Sequence, residues 1–107
     1  MIPVDLRKPI IDFLDNKDKF VGKQIEIIKT ISYNQSYESP AISEVFEYNV
    51  IAIYWTFSGS KLVFEGGNKN YFICLDLVRG FTEVNVNEYC FVERYGDEYK
   101  KTDIKFS

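Results

Sequence analysis

The chain has 107 residues with 46% hydrophobic, 27% charged and 17% aromatic side chains and a net charge of −3, which suits a single domain over 1–107 with one core and no separate cofactor domain. It contains no histidine, so the commonest general base, the commonest zinc ligand and every Ser-His or Cys-His nucleophile pair are missing. The longest apolar run, Val50 to Trp55, is far shorter than the roughly 20 residues of a membrane helix, and the N-terminus lacks a basic-then-apolar leader pattern, so a cytoplasmic protein is expected.

Leu6, Ile10, Ile11, Phe13 and Leu14 follow helical spacing and predict one amphipathic helix near 8–18, with Asp12, Asp15, Lys17 and Asp18 outward. Pro9 fits best in the first turn, because a start at Pro3 would place it where it interrupts helical hydrogen bonding. After Gly22 the apolar period falls to two. Gln24-Ile25-Glu26-Ile27 alternates, Ile31 and Tyr33 resume the same parity, and the extra Ile28 suggests a bulge or a covered second face. Asn34 to Pro40 is then a polar loop.

The stretch from Ile42 to Phe57 is the longest strand candidate. Its even positions Phe46, Tyr48, Val50, Ala52 and Tyr54 are apolar throughout, whereas its odd positions pass from Ser43, Glu47 and Asn49 to Ile51, Ile53, Trp55 and Phe57. Such a strand runs from an exposed rim, Tyr37 to Asn49, into the middle of the fold, leaving Val50 to Phe57 as scaffold. Ser39-Pro40 could cap a helix through Glu44, but the β-branched and aromatic content favours strand.

Turn signals follow at Ser58-Gly59-Ser60, Gly66-Gly67-Asn68, Arg79-Gly80 and Gly96-Asp97. They separate strand candidates at Lys61 to Glu65, Tyr71 to Val78, Phe81 to Val86, Glu88 to Tyr95 and Glu98 to Phe106. The expected architecture is α+β, mostly β: an N-terminal helix packed on an antiparallel curved sheet, as a sandwich or half-barrel.

Catalytic, cofactor and metal patterns are absent. Asp15-Asn16-Lys17-Asp18 puts lysines where a calcium loop needs other residues and lacks its glycine. Glu65 to Asn70 lacks the phosphate-loop spacing and precedes a strand instead of a helix. Asp76, between Leu75 and Leu77, is the best single candidate for a perturbed acid, with an outward or turn position as the preferred reading. Cys74 and Cys90 lie in apolar strand candidates and are expected as reduced core thiols, a disulfide requiring their strands to pair.

Between Lys29 and Lys61 there is no basic residue, while Glu38, Glu44 and Glu47 stand among Tyr33, Tyr37, Phe46 and Tyr48. A second base-free run, Gly80 to Glu93, adds Glu83, Glu88 and Glu93. The only basic doublets are Arg7-Lys8 and Lys100-Lys101, so a direct nucleic-acid ligand is not expected. An acidic, tyrosine-rich rim suits a basic protein partner, since aromatics anchor and carboxylates steer.

In length, acidity, helix-plus-strand content and richness in Ile, Lys, Asn and Tyr, the chain resembles the small acidic immunity proteins that bacteria pair with secreted toxins, including those of contact-dependent growth inhibition. The likeness is one of overall character and transfers no motif residue. It implies a non-enzymatic, cofactor-free inhibitor that blocks a basic nuclease toxin domain; a monomer is expected. Tyr37, Glu38, Glu44 and Glu47, with Glu83, Glu88 and Glu93, are the expected contact residues. Two alternatives stay open: a phage-encoded inhibitor of a host defence enzyme, and a small-ligand or enzymatic β-domain with an apolar pocket lined by Tyr54, Trp55 and Tyr71 around Asp76.

Overall fold

The computed structural model describes residues 2–33, 42–56 and 60–107. Helix α1, Val4–Asn16, starts earlier than the spacing predicts and holds Pro9 inside it. Pro3 is extended and its carbonyl accepts from the Leu6 amide at 3.0 Å, so the proline-restricted backbone begins the helix here. Pro9 removes one backbone donor and lies exposed, where water can satisfy the carbonyl it leaves open. The early start places Leu6 in line with Ile10, Phe13 and Leu14 against the core, whereas Ile11 turns to solvent. A 3-10 turn, Lys17–Phe20, then drops Phe20 into the core.

Eight strands follow among the described residues, all paired antiparallel. They are β1 Gln24–Ser32, β2 Ile42–Asn49, β3 Ala52–Trp55, β4 Lys61–Gly66, β5 Lys69–Cys74, β6 Val78–Asn85, β7 Glu88–Tyr95 and β8 Glu98–Phe106. A five-stranded sheet has the order β2-β1-β8-β7-β6 and a three-stranded sheet the order β3-β4-β5. The expected α+β, mostly β architecture is therefore what the chain forms, as two open sheets with a helix.

The single long strand expected from Ile42 to Phe57 is two strands in different sheets. Val50 and Ile51 make the crossing: the Val50 amide donates to Lys23 O at 2.9 Å, and the Ile51 amide donates to Glu65 O at 2.8 Å. Burial explains the break, because the inward residues switch from even (Phe46, Tyr48, Val50) to odd (Ile53), which one regular strand cannot do. The predicted strand Tyr71 to Val78 is likewise cut by a 3-10 turn, Leu75–Leu77, that returns the chain to the large sheet. Arg79-Gly80, expected as a turn, lies inside β6 where its register with β7 shifts. Ile28 causes no bulge, as β1 keeps register with both neighbours.

The inner faces of the sheets meet on aromatic rings. Phe13 of α1 touches both layers, with centroids 6.5 Å from Phe64 and 4.8 Å from Tyr89, and Phe20 stacks on Phe106 at 3.9 Å. Burying each such ring contributes about 1.5–3 kcal/mol. Tyr48 bridges the layers from β2: its hydroxyl donates to Phe64 O at 2.5 Å, and its ring lies against the bare Cα of Gly66. Only glycine leaves room for that approach.

Gly66→Ala is expected to destabilise the protein by about 1–3 kcal/mol through this clash, and most of that cost should vanish in a Tyr48→Ala background when urea melts of the four proteins are compared. Burial pushes the Tyr48 phenol up to about 12 from an ordinary 10.0. The unfolded phenol therefore ionises first, so this contribution to stability is complete below about pH 10 and is lost as the pH rises through about 12. Denaturant midpoints should fall across that window, and should fall less in Tyr48→Phe.

Candidate functional site

The outer face of the five-stranded sheet brings two of the expected contact residues together and adds one that sequence reasoning missed. Cross-strand register sets Glu47 opposite Glu26, Glu26 opposite Lys105, and Lys105 opposite Glu88. The neighbouring row is Val45, Ile28, Asp103 and Cys90. Val45 is 61% exposed, Ile28 36% and Val84, from the bulged end of β6, 54%. Ile28 and Val84 line one shallow groove with Glu26, Glu88 and Asp103.

Two like charges face each other at the edge-strand end of this row. Glu26 and Glu47 occupy one register position on adjacent strands, and neither makes an ion pair with a described residue. Lys105 leans instead toward Glu88, 3.8 Å away, whose other oxygen accepts from Asn85 Nδ2 at 2.9 Å. Like charges directly opposite on a sheet are unfavourable for folding. The alternation Gln24 to Ile27 already put Glu26 on the outward parity; only the pairing of β1 with β2 and β8 made it a neighbour of Glu47 and Lys105.

The remaining expected contacts scatter. Tyr37 and Glu38 lie outside the described residues. Glu44 is exposed, but it belongs to the opposite parity from Glu47 and pairs with Lys29 at 3.6 Å. Glu83 points to the inner side of β6, into a cleft beside α1.

Glu93 is a correction: it is 0% exposed and has no surface to offer a partner. Its Oε2 accepts from the Cys74 amide at 2.9 Å and from the Tyr95 hydroxyl at 2.6 Å, and Lys100 Nζ stands 3.3 Å from Oε1. Oε1 accepts no hydrogen bond of good geometry, so the ammonium charge is its compensation. Lys100 also donates to Phe72 O at 3.3 Å. The pair thereby ties β7 and β8 to β5, a clamp between the sheets. Beside it the buried Tyr71 hydroxyl bonds the Thr102 hydroxyl at 2.7 Å. Burial, with the Glu93 hydrogen bond second, holds the Tyr95 phenol protonated well above its usual range.

Among the described residues the pocket expected around Asp76 does not form. Asp76 is exposed on the 3-10 turn, Tyr71 is buried in the core, and Tyr54 and Trp55 are 42% and 45% exposed. The described part of the expected scaffold, Val50 to Thr56, is thus not only scaffold: register aligns Tyr54, Val63 and Phe72 across the outer face of the small sheet, with Lys61 Nζ 4.8 Å from the Phe72 ring centre.

Cys74 and Cys90 are both free and half-buried, on β5 and β7. Burial, then the nearby Asp103 carboxylate, pushes the Cys90 thiol up to about 11, which makes it a poor nucleophile. Among the described residues no group of three potential metal ligands assembles, and no helix is long and apolar enough to cross a membrane. No known family profile, curated protein or solved structure matches the chain.

Removing one partner of the buried clamp leaves the other charge uncompensated. Lys100→Met is expected to cost about 3–5 kcal/mol in chemical denaturation, and Glu93→Leu combined with Lys100→Met should recover much of the loss.

Proposed function

We propose that this protein is a non-enzymatic inhibitor of the toxin-neutralising type, which binds a basic protein domain through the outer face of its five-stranded sheet. A nuclease domain is the partner class that best fits, because its phosphate-binding site is a cluster of lysines and arginines that carboxylates can occupy. The observation that carries this reading is the opposed pair Glu26 and Glu47. It works against folding in the isolated chain and becomes favourable when a cationic side chain arrives between the two carboxylates.

The surroundings suit the same role. Exposed Val45, Ile28 and Val84 supply apolar contact beside the charges, and Glu88 extends the acidic row. Rim carboxylates of this kind act mainly on the rate of encounter and on its salt dependence.

The discriminating experiment is co-expression and binding with nuclease toxin domains, starting from the C-terminal domain of any secreted toxin encoded beside this chain. The wild-type protein is expected to rescue growth and to bind with an affinity that falls steeply with salt. Changing Glu26, Glu47 and Glu88 together to Lys should weaken binding by at least about 100-fold and flatten the salt dependence. Glu26→Gln should bind more weakly while melting higher, the signature of a charge kept for function. Unchanged affinity in the triple variant would remove this face from the reading.

A further inference from the structure

A concavity lies away from the acidic face, between α1, the 3-10 turn that follows it and the inner side of β6 and β7, with a volume of about 460 Å³. That is within the range of small-molecule sites. Phe13, Phe20, Phe81 and Tyr89 line it. Phe81 and Tyr89 stack at 6.1 Å with 13° between their planes, and Phe13 meets Tyr89 edge-on at 4.8 Å. An aromatic lining of this kind favours a flat, unsaturated ligand.

Charges at the cleft narrow the ligand further. Lys8 and Asp12, one helical turn apart, pair with each other at 3.1 Å. Two opposite charges remain. Lys19, on the 3-10 turn, has its ammonium 5.0 Å from the Phe20 ring centre, and Glu83 reaches in from β6; neither forms an ion pair with a described residue. The complementary occupant has an aromatic ring, one anionic group for Lys19 and one cationic group for Glu83.

We propose that this cleft binds a small aromatic zwitterion, of the class of free aromatic amino acids. The ring lies against Phe81 and Tyr89, the carboxylate meets Lys19 and the ammonium meets Glu83. This goes beyond the protein-binding reading and does not depend on it, since the two sites use different residues on opposite sides of the large sheet.

Nuclear magnetic resonance titration of the full chain tests it with two probes, L-tryptophan and N-acetyl-tryptophan amide, which carries the same ring without either charge. L-tryptophan should shift the resonances of Phe81, Glu83 and Tyr89 with a Kd below about 1 mM, and the blocked probe should bind at least about tenfold more weakly. Lys19→Glu and Glu83→Lys, both at exposed positions, should each weaken L-tryptophan about tenfold, leave the blocked probe unaffected and leave the melting curve unchanged. Equal binding of the two probes would overturn the proposal and assign the cleft to the aromatic side chain of a partner. Absence of shifts at these residues at concentrations of several millimolar would overturn it as well.

Discussion

Everything in this fold leans on the contact between the inner faces of two unequal sheets, closed at one end by Phe13 and Phe20 and at the other by the pair Glu93 and Lys100. The aromatic end is non-directional and owes its strength to area. The charged end is directional: a carboxylate that is 0% exposed holds an amide, a hydroxyl and an ammonium from three strands. A buried pair of this type adds little net stability but penalises any arrangement that separates its members. It fixes how β5 sits over β7 and β8, which in turn leaves the opposite face of the large sheet free to carry unneutralised carboxylates.

That division of labour separates acids that look alike in the sequence. Glu88 and Glu93 are both acids in the same base-free run and the same strand. Being five residues apart, they fall on opposite parities, so one belongs to the outer row with Lys105 and the other to the interior. Glu44 and Glu47, three apart in β2, separate for the same reason. A strand sorts side chains strictly by parity, and acidity of a segment therefore does not locate an acidic surface.

Most elements were legible because each rests on local chemistry. The alternation of Gln24 to Ile27, the glycines at 66 to 67 and at 96, and the spacing of Ile10, Phe13 and Leu14 all led to the correct type of element. Gly67 and Gly96 take positive φ in their hairpins, as the turns require. Other errors came from places where tertiary packing overrode a local rule. The helix accommodates Pro9 because its exposed side can afford a lost bond, and the chain leaves one sheet for the other at Val50–Ile51 and at Leu75–Leu77, where no glycine or proline marks the change.

The sequence by itself determined the class of fold, the antiparallel hairpins and the lack of histidine chemistry, because propensity, turn residues and composition act over a few neighbouring positions. Tertiary structure alone decided which glutamates share a surface, that Glu93 is interior, that the cleft lies beside α1 instead of around Asp76, and that Tyr54 and Phe72 face outward. These depend on register between strands distant in the chain and on which sheet each strand joins, and both are set by the mutual packing of two faces that no single segment encodes.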